Sequence, residues 1–276
     1  MTKFGVASIL TDESIGPAAL ATALEDRSFD ALFVGDHSHV PVKRETPFPF
    51  GGDLPREYHR ELDAFGALCA AAMVTSTLTL GTGVALPAQR DVFYTAKQVA
   101  TLDRLCGGRF VFGVGVGWLM EVLRDHGVDA ATRGARLDEH LRALEALWTR
   151  DVAEFHGEFV DFGPVYAWPK PQQARVPIHV GGESVAAVKR AAALGDVWMP
   201  NAAWSVSDVH AQFELRDRHA PGIPITAFAA MADNRPVLDE YVRLGADQVV
   251  LYLPTLPEAE ALAALDELAE VARQYR

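Results

Sequence analysis

The chain is poor in several things, and each shortage excludes a class of protein. It has two cysteines in 276 residues, Cys69 and Cys106. Both fall in Ala- and Leu-rich stretches that read as helices, so they are expected to be small buried hydrophobes and not a disulfide framework. No apolar run approaches the length of a membrane span. The opening, Met1-Thr-Lys-Phe-Gly-Val, enters an apolar strand at once, without the basic and apolar regions of a secretory leader, and a cytoplasmic location is expected. Basic residues are outnumbered, 25 against 37 acidic, for a formal charge of -12. That balance argues against nucleic acid and against an anionic membrane surface as partners. Missing too are the GxGxxG dinucleotide fingerprint and the GxSxG nucleophile elbow.

What is present is an alternation. Strand-like apolar runs occur at Phe4–Leu10, Asp30–Val34, Leu78–Val84, Arg109–Gly115, Val176–Val180, Asp196–Pro200, Ile223–Ala229 and Asp247–Leu253. Helical spacing of apolar positions fills Ala18–Arg27, Leu62–Thr75, Thr95–Cys106, Arg136–Thr149, Val185–Leu194, Val206–His219, Pro236–Leu244 and Pro257–Arg273. Strands alternating with helices give parallel βαβ units, and eight of them predict one (β/α)8 TIM barrel across residues 1–276, of the α/β class. An open doubly wound sheet is the alternative.

Two stretches interrupt the rhythm, after the second and fourth barrel strands. Ser38–Arg60 contains PFPFGGDLPREYHR, whose prolines and glycines exclude a regular helix, while Phe48, Phe50 and Tyr58 suggest a packed lid. Glu154–Pro171 reads as a hairpin turning at Phe162-Gly163-Pro164 and covering one side of the barrel.

Barrel enzymes keep their chemistry at the C-terminal ends of the strands. Asp36 and His37 stand there after the second strand, and an imidazole in that place can act as a general base or a hydrogen-bond donor. The bland reading is a His-Asp pair that only fixes the loop. His37-x-His39 with His179 resembles part of a barrel zinc site. The sixth strand supplies no His and the eighth no Asp, so no metal is expected. Gly113, Gly115 and Gly117 alternate at the fourth strand's end, allowing a close approach to the backbone. Gly181-Gly182 precede a helix start at Ser184, where free N–H groups favour a phosphate. Glycines within LGTGVAL point to a bulge in the third strand.

Taken in order, VGDH (34–37), PFPFGGDLPREY (47–58), LGTGVALPAQRDVFYTAKQVATLDRLCGGRFVFGVGVGW (80–118), RGARLDEHL (133–141), FHGEFVDF (155–162), PKPQ (169–172), PIHVGGES (177–184) and AAALGDVWMP (191–200) resemble the luciferase-like monooxygenase superfamily, and within it the actinobacterial coenzyme F420-dependent oxidoreductases. The resemblance implies a deazaflavin coenzyme F420, with FMN as the alternative, lying in the barrel mouth with catalytic His37 near its reactive carbon. It implies a cis Gly83–Val84 peptide and cofactor contacts from Asp36, Thr82, Gly83, Val84, Gly115, Val116, Gly117, Gly181, Gly182, Glu183 and Ser184. Trp118, Glu121 and Phe50 are the expected substrate residues, with the acid partner of His37 left open at Glu121. Lys43, Arg44, Arg56, Arg60 and Arg90 are the cations expected to meet an acidic glutamyl tail. Val197 stands where GDGW is commoner and is expected to tighten the wall below Trp198. The implied activity is hydride transfer to a small organic substrate. An FMN-dependent monooxygenase or a non-catalytic flavin-binding relative are the alternatives, and a homodimer is left open.

Overall fold

The computed structural model describes residues 1–276. Eight parallel strands form the barrel: β1 (Lys3–Ser8), β2 (Ala31–Val34), β3 (Thr79–Thr82), β4 (Phe110–Val114), β7 (Ile178–Gly181), β8 (Val197–Met199), β9 (Thr226–Ala230) and β10 (Gln248–Tyr252). Each pairs with its neighbours in the order β8-β7-β4-β3-β2-β1-β10-β9. β1 lies between β10 and β2, so Val6 is flanked by Leu251 and Leu32. Single bridges, Trp198 to Ile225 and Asn201 to Phe228, bring the last pair of edges together. The (β/α)8 arrangement expected from the alternation is therefore the fold.

Side-chain caps decide where the helices start. Asp63 accepts the Gly66 amide at 2.7 Å and opens α2 (Ala64–Ala72) two residues later than the apolar spacing predicts. Asp91 accepts from Tyr94 N at 2.8 Å and opens α3 (Val92–Leu105) three residues earlier than expected. The remaining helices are α1 (Pro17–Asp26), α4 (Met120–Asp125), α5 (Arg133–Thr149), α6 (Val185–Leu194), α7 (Val206–His219), α8 (Arg235–Arg243) and α9 (Glu258–Arg273). The six-residue α4 is absent from the sequence reading because it is too short to show a period. No helix is long and apolar enough to cross a membrane. Cys106 is buried at the end of α3, whereas Cys69 on α2 is only half-buried.

The core is layered. Outward-facing strand residues and inward-facing helix residues make one cluster of 64 buried side chains. A small second cluster, Ala7, Ala31, Phe33, Val111, Met199 and Val250, fills the barrel interior. Gly81 and Gly83 belong to this interior packing, and the expected bulge lies beside them: Gly81 pairs with Val111 but Ala85 bridges Val114, one extra residue on the third strand. A Cβ at Gly81 would lie 2.4 Å from the Phe33 ring, and one at Gly83 would lie 2.4 Å from the Phe228 ring. β3 runs in regular register with β2 through Thr82. A second shift of register lies between β9 and β10, where Ala229 has φ 58°. The Gly83–Val84 peptide is cis.

The second insertion is a hairpin of β5 (Val152–His156) and β6 (Asp161–Tyr166), with Phe155 opposite Phe162. Its turn is at Gly157–Val160, not at Phe162-Gly163-Pro164. Glu139 of α5 fixes it by accepting the amides of Glu158, Phe159 and Val160 at 3.0, 2.7 and 3.1 Å. Gly163 and Pro164 lie within β6, tolerable because the two-stranded ladder leaves an edge free. Phe162 rests on Phe93 of α3 at 5.0 Å, so the hairpin covers a helix and not the mouth.

His179 on β7 points inward, 8% exposed, with its ring 6.1 Å from Phe33 and no partner on Nδ1. Burial pushes its pKa down from 6.5 to about 4, so it is neutral in the folded chain at pH 7. Unfolding restores the higher value. Between these two values the unfolded chain binds more protons, and stability falls as pH drops from 6.5 toward 4. We expect His179→Asn to remove roughly 3 kcal/mol of that pH dependence. Urea unfolding at pH 4.5 and 7.5 measures it, and an unchanged pH slope in the variant would count against the assignment.

Candidate active site

The C-terminal ends of the strands surround a cavity of about 560 Å³. Its barrel side is formed by backbone and small residues: Gly83 and Val84 after β3, Gly115–Gly117 after β4, and Gly181–Gly182 at the end of β7. Missing side chains let the strand ends pack closely here. A Cβ at Gly115 would come within 2.7 Å of Val84, while Gly117 and Gly182 have φ +78° and +104°. The Trp198 indole N–H donates to the Gly182 carbonyl at 2.7 Å and holds that turn against the core. The opposite side is aromatic. Phe48, Phe50 and Tyr58 from the lid meet Trp118 from the β4 end, with Phe48 5.4 Å from Tyr58 and 5.9 Å from Trp118.

His37 sits between these two sides. Its Nδ1 is 2.8 Å from Glu61 Oε2, and its ring stands edge-on to Tyr58 at 5.3 Å and Trp118 at 6.4 Å. Glu61 is the residue the sequence reading missed. It lies at the far end of the lid and is 3% exposed, and its second oxygen, Oε1, has no partner. A Cβ on Gly35 would fall 2.1 Å from that oxygen, so the glycine before Asp36 makes the room that Glu61 occupies. Leu62 N donates to Leu10 O at 2.8 Å, and Glu61 forms a bridge with Thr11, which pins the carboxylate's backbone to the loop after β1. With Glu61 ionised, Nδ1 carries the imidazole proton and Nε2 has no protein partner.

The other expected residues separate into two groups. Asp36, Gly83, Val84, Gly115, Val116, Gly117, Trp118, Gly181, Gly182, Glu183 and Phe50 line the cavity with His37. Asp36 does so with its carboxylate already engaged by the Arg90 guanidinium, Nε to Oδ2 at 2.9 Å, and Arg90 stacks over Phe65 at 4.9 Å. Glu183 Oε1 accepts the backbone and side-chain N–H of Asn201 at 3.0 and 2.7 Å. Thr82, Ser184 and Glu121 lie outside the lining. Thr82 donates its hydroxyl to Gly113 O at 2.7 Å, and Ser184 caps α6 by accepting from Ala187 N at 3.2 Å.

Glu121 is not the partner of His37. Its carboxylate turns to the start of the lid, accepting from Glu45 N, Thr46 N and the Thr46 hydroxyl at 2.6, 2.9 and 2.7 Å. Desolvation raises its pKa, but the Thr46 and Glu45 hydrogen bonds outweigh burial and hold it down at about 2.

The five expected cations do not enter the cavity. Arg56 is paired with Glu13, Arg60 with Asp12 and Arg90 with Asp36, while Arg44 donates to the Thr46 carbonyl. No Lys or Arg lines the cavity. A second, polar cavity of about 340 Å³ adjoins it and shares Asp36, His37 and Glu61, with Asp63, Gln89, His126 and one of the expected cations, Arg90, among its other walls.

A family model, luciferase-like monooxygenase, matches residues 16–276. The chain belongs to the luciferase-like monooxygenase family. An uncharacterized protein of Mycobacterium tuberculosis is 39% identical over 278 residues, covering 96% of this chain and 97% of its own length. The FMNH(2)-dependent dimethylsulfone monooxygenase of Pseudomonas putida is 34% identical over 171 residues, 57% of this chain and 47% of that one. An F420-dependent secondary alcohol dehydrogenase, solved with an F420-acetone adduct, superposes with a TM-score of 0.75 at 18% identity, covering 100% of this chain and 99% of that one. FMNH(2) and coenzyme F420 are thus each named for a protein that this chain resembles, the first in sequence and the second in fold. The cavity here fits either ring system on one observation of its own: five glycines, Gly83, Gly115, Gly117, Gly181 and Gly182, leave one wall without side chains.

The Glu121 anchor yields a test. Its folded pKa lies below 4.5, so the anchorage is complete above that pH and is lost as pH falls toward about 2. In Glu121→Gln the lid should exchange its amide hydrogens roughly ten-fold faster over residues 45–58 at pH 7, since a charged acceptor of several bonds is lost. Far-UV circular dichroism should be unchanged. Exchange equal to that of the parent chain would show that the lid is held by its aromatics alone.

Proposed function

We propose that this chain is an oxidoreductase of a small organic substrate that works with reduced FMN as a monooxygenase, with His37 as its acid–base residue. The observation that carries the reading is the His37–Glu61 pair set between a glycine-lined wall and an aromatic lid. The preference for FMN rests on charge. A long acidic tail calls for cations at the mouth, no lysine or arginine lines the cavity, and Arg44, Arg56, Arg60 and Arg90 are already engaged by acids or a carbonyl. The identity with the FMNH(2)-dependent relative supports the same choice. Deazaflavin-dependent hydride transfer is the second reading, favoured by the likeness of the Asp36-His37 segment and the lid to that branch.

Reduced FMN, when bound, supplies two electrons and activates dioxygen, so that one oxygen atom reaches the substrate and the other leaves as water. The remaining contributions come from the chain. Gly83, Val84, Gly115, Gly117, Gly181 and Gly182 would support the ring and its phosphate end, the latter near the N-terminus of α6 that Ser184 caps. Glu61 accepts the Nδ1 proton and fixes the imidazole plane, leaving Nε2 to take or give a proton at the reacting group. Phe48, Tyr58 and Trp118 exclude water over that nitrogen. All of this is carried by residues 1–276 acting as one domain.

His37→Ala is expected to lower turnover by about 10²–10⁴-fold while changing cofactor affinity far less. Loss of affinity with turnover intact at saturation would make His37 a binding residue. The cofactor choice is tested by titrating the protein with FMN and with coenzyme F420 at low and high salt. FMN should bind at both, and tight F420 binding that weakens with salt, without FMN binding, would promote the hydride-transfer reading.

A further inference from the structure

The cavity carries a charge pattern that bears on what it accepts. Four carboxylates line it, Asp36, Glu57, Glu61 and Glu183, and no lysine or arginine does. Asp36 is neutralised by Arg90, Glu61 faces His37, and Glu183 is held by the uncharged Asn201. Glu57 differs from all three, because its side chain makes no ion pair and no hydrogen bond within the chain. It sits on the lid's one helical turn, Arg56–His59, next to Tyr58. Burial raises the pKa of both Tyr58 and Tyr252, and the nearby Glu57 charge adds to the effect in each. Its neighbours Arg56 and Arg60 are drawn away from it to Glu13 and Asp12.

The cavity that Glu57 lines is rich in aromatic rings. Tyr58 and Tyr252 feel its charge, and Phe48, Trp118 and Trp204 line the same cavity. Aromatic faces carry negative potential and attract cations, more strongly where water is thinned out. An unpaired carboxylate in a cavity lined by such rings, and by no lysine or arginine, repels an anion and attracts an ammonium.

We propose that the substrate is an apolar molecule bearing a basic nitrogen, with its ammonium against Glu57 and its body among Phe48, Tyr58, Trp118 and Trp204. The proposal rests on the reading of this cavity as the reaction site. Its test is binding without turnover, so a failure of redox activity and a failure of this assignment are read separately.

Three probes of one shape decide it: 3-phenylpropylamine, 3-phenylpropanol and 3-phenylpropionate, titrated calorimetrically into the protein as purified and after loading with oxidised FMN. The amine should bind about ten-fold tighter than the alcohol, with the propionate weakest, and the amine's advantage should shrink in high salt. Glu57→Gln should bring the amine level with the alcohol and leave the alcohol's affinity unchanged. The assignment is overturned if the propionate or the alcohol matches the amine, if Glu57→Gln preserves the amine's advantage, or if none of the three probes binds.

Discussion

A carboxylate that is 3% exposed needs a partner, and Glu61 has one in the imidazole of His37. Burying an unpaired carboxylate costs several kcal/mol, so the pair holds its two segments together as firmly as it orients a ring. The end of β2 supplies one member and the end of the lid the other. Gly35 is bare so that Glu61 fits. The cavity, the aromatic cover and the polar chamber behind them all meet at this contact.

The acidic balance of the chain also has an internal use. Several carboxylates collect backbone N–H groups from loops far away in sequence. Glu25 takes the amides of Ser76, Thr77 and Leu78, Asp103 those of Gln172 and Gln173, and Glu139 the hairpin turn. Glu121 does the same for the start of the lid. Loops rich in proline and glycine have amides with no ladder to join, and an ionised acceptor satisfies two or three at once. The formal charge of -12 is in part this network, and not only a solvated surface.

These contacts explain what could and could not be read from the sequence. The barrel was legible because eight apolar strands alternate with helical patterns, and His37 was legible because the end of a barrel strand is where chemistry is found. Glu61 was not, since it lies 24 residues beyond His37 in a segment without periodicity. Asp36 looked like a partner for His37, but its own partner, Arg90, is 54 residues away. The hairpin turn was misplaced for the same reason: Gly163-Pro164 has the composition of a turn, yet a glutamate on α5 determines where the chain reverses. Local composition reports propensity, and long-range carboxylate contacts override it here.

The lid is tied at both ends, with its glycine tip between them. Glu121 grips Glu45 and Thr46, and the Leu10 and Thr11 backbone grips Glu61 and Leu62. Gly51 and Gly52, both at positive φ and exposed, lie at its tip. The tip is thus anchored separately from the residue that holds His37. The orientation of the imidazole depends on the far end of the lid, and the cover of the cavity on rings such as Phe48 that are carried nearer its tip.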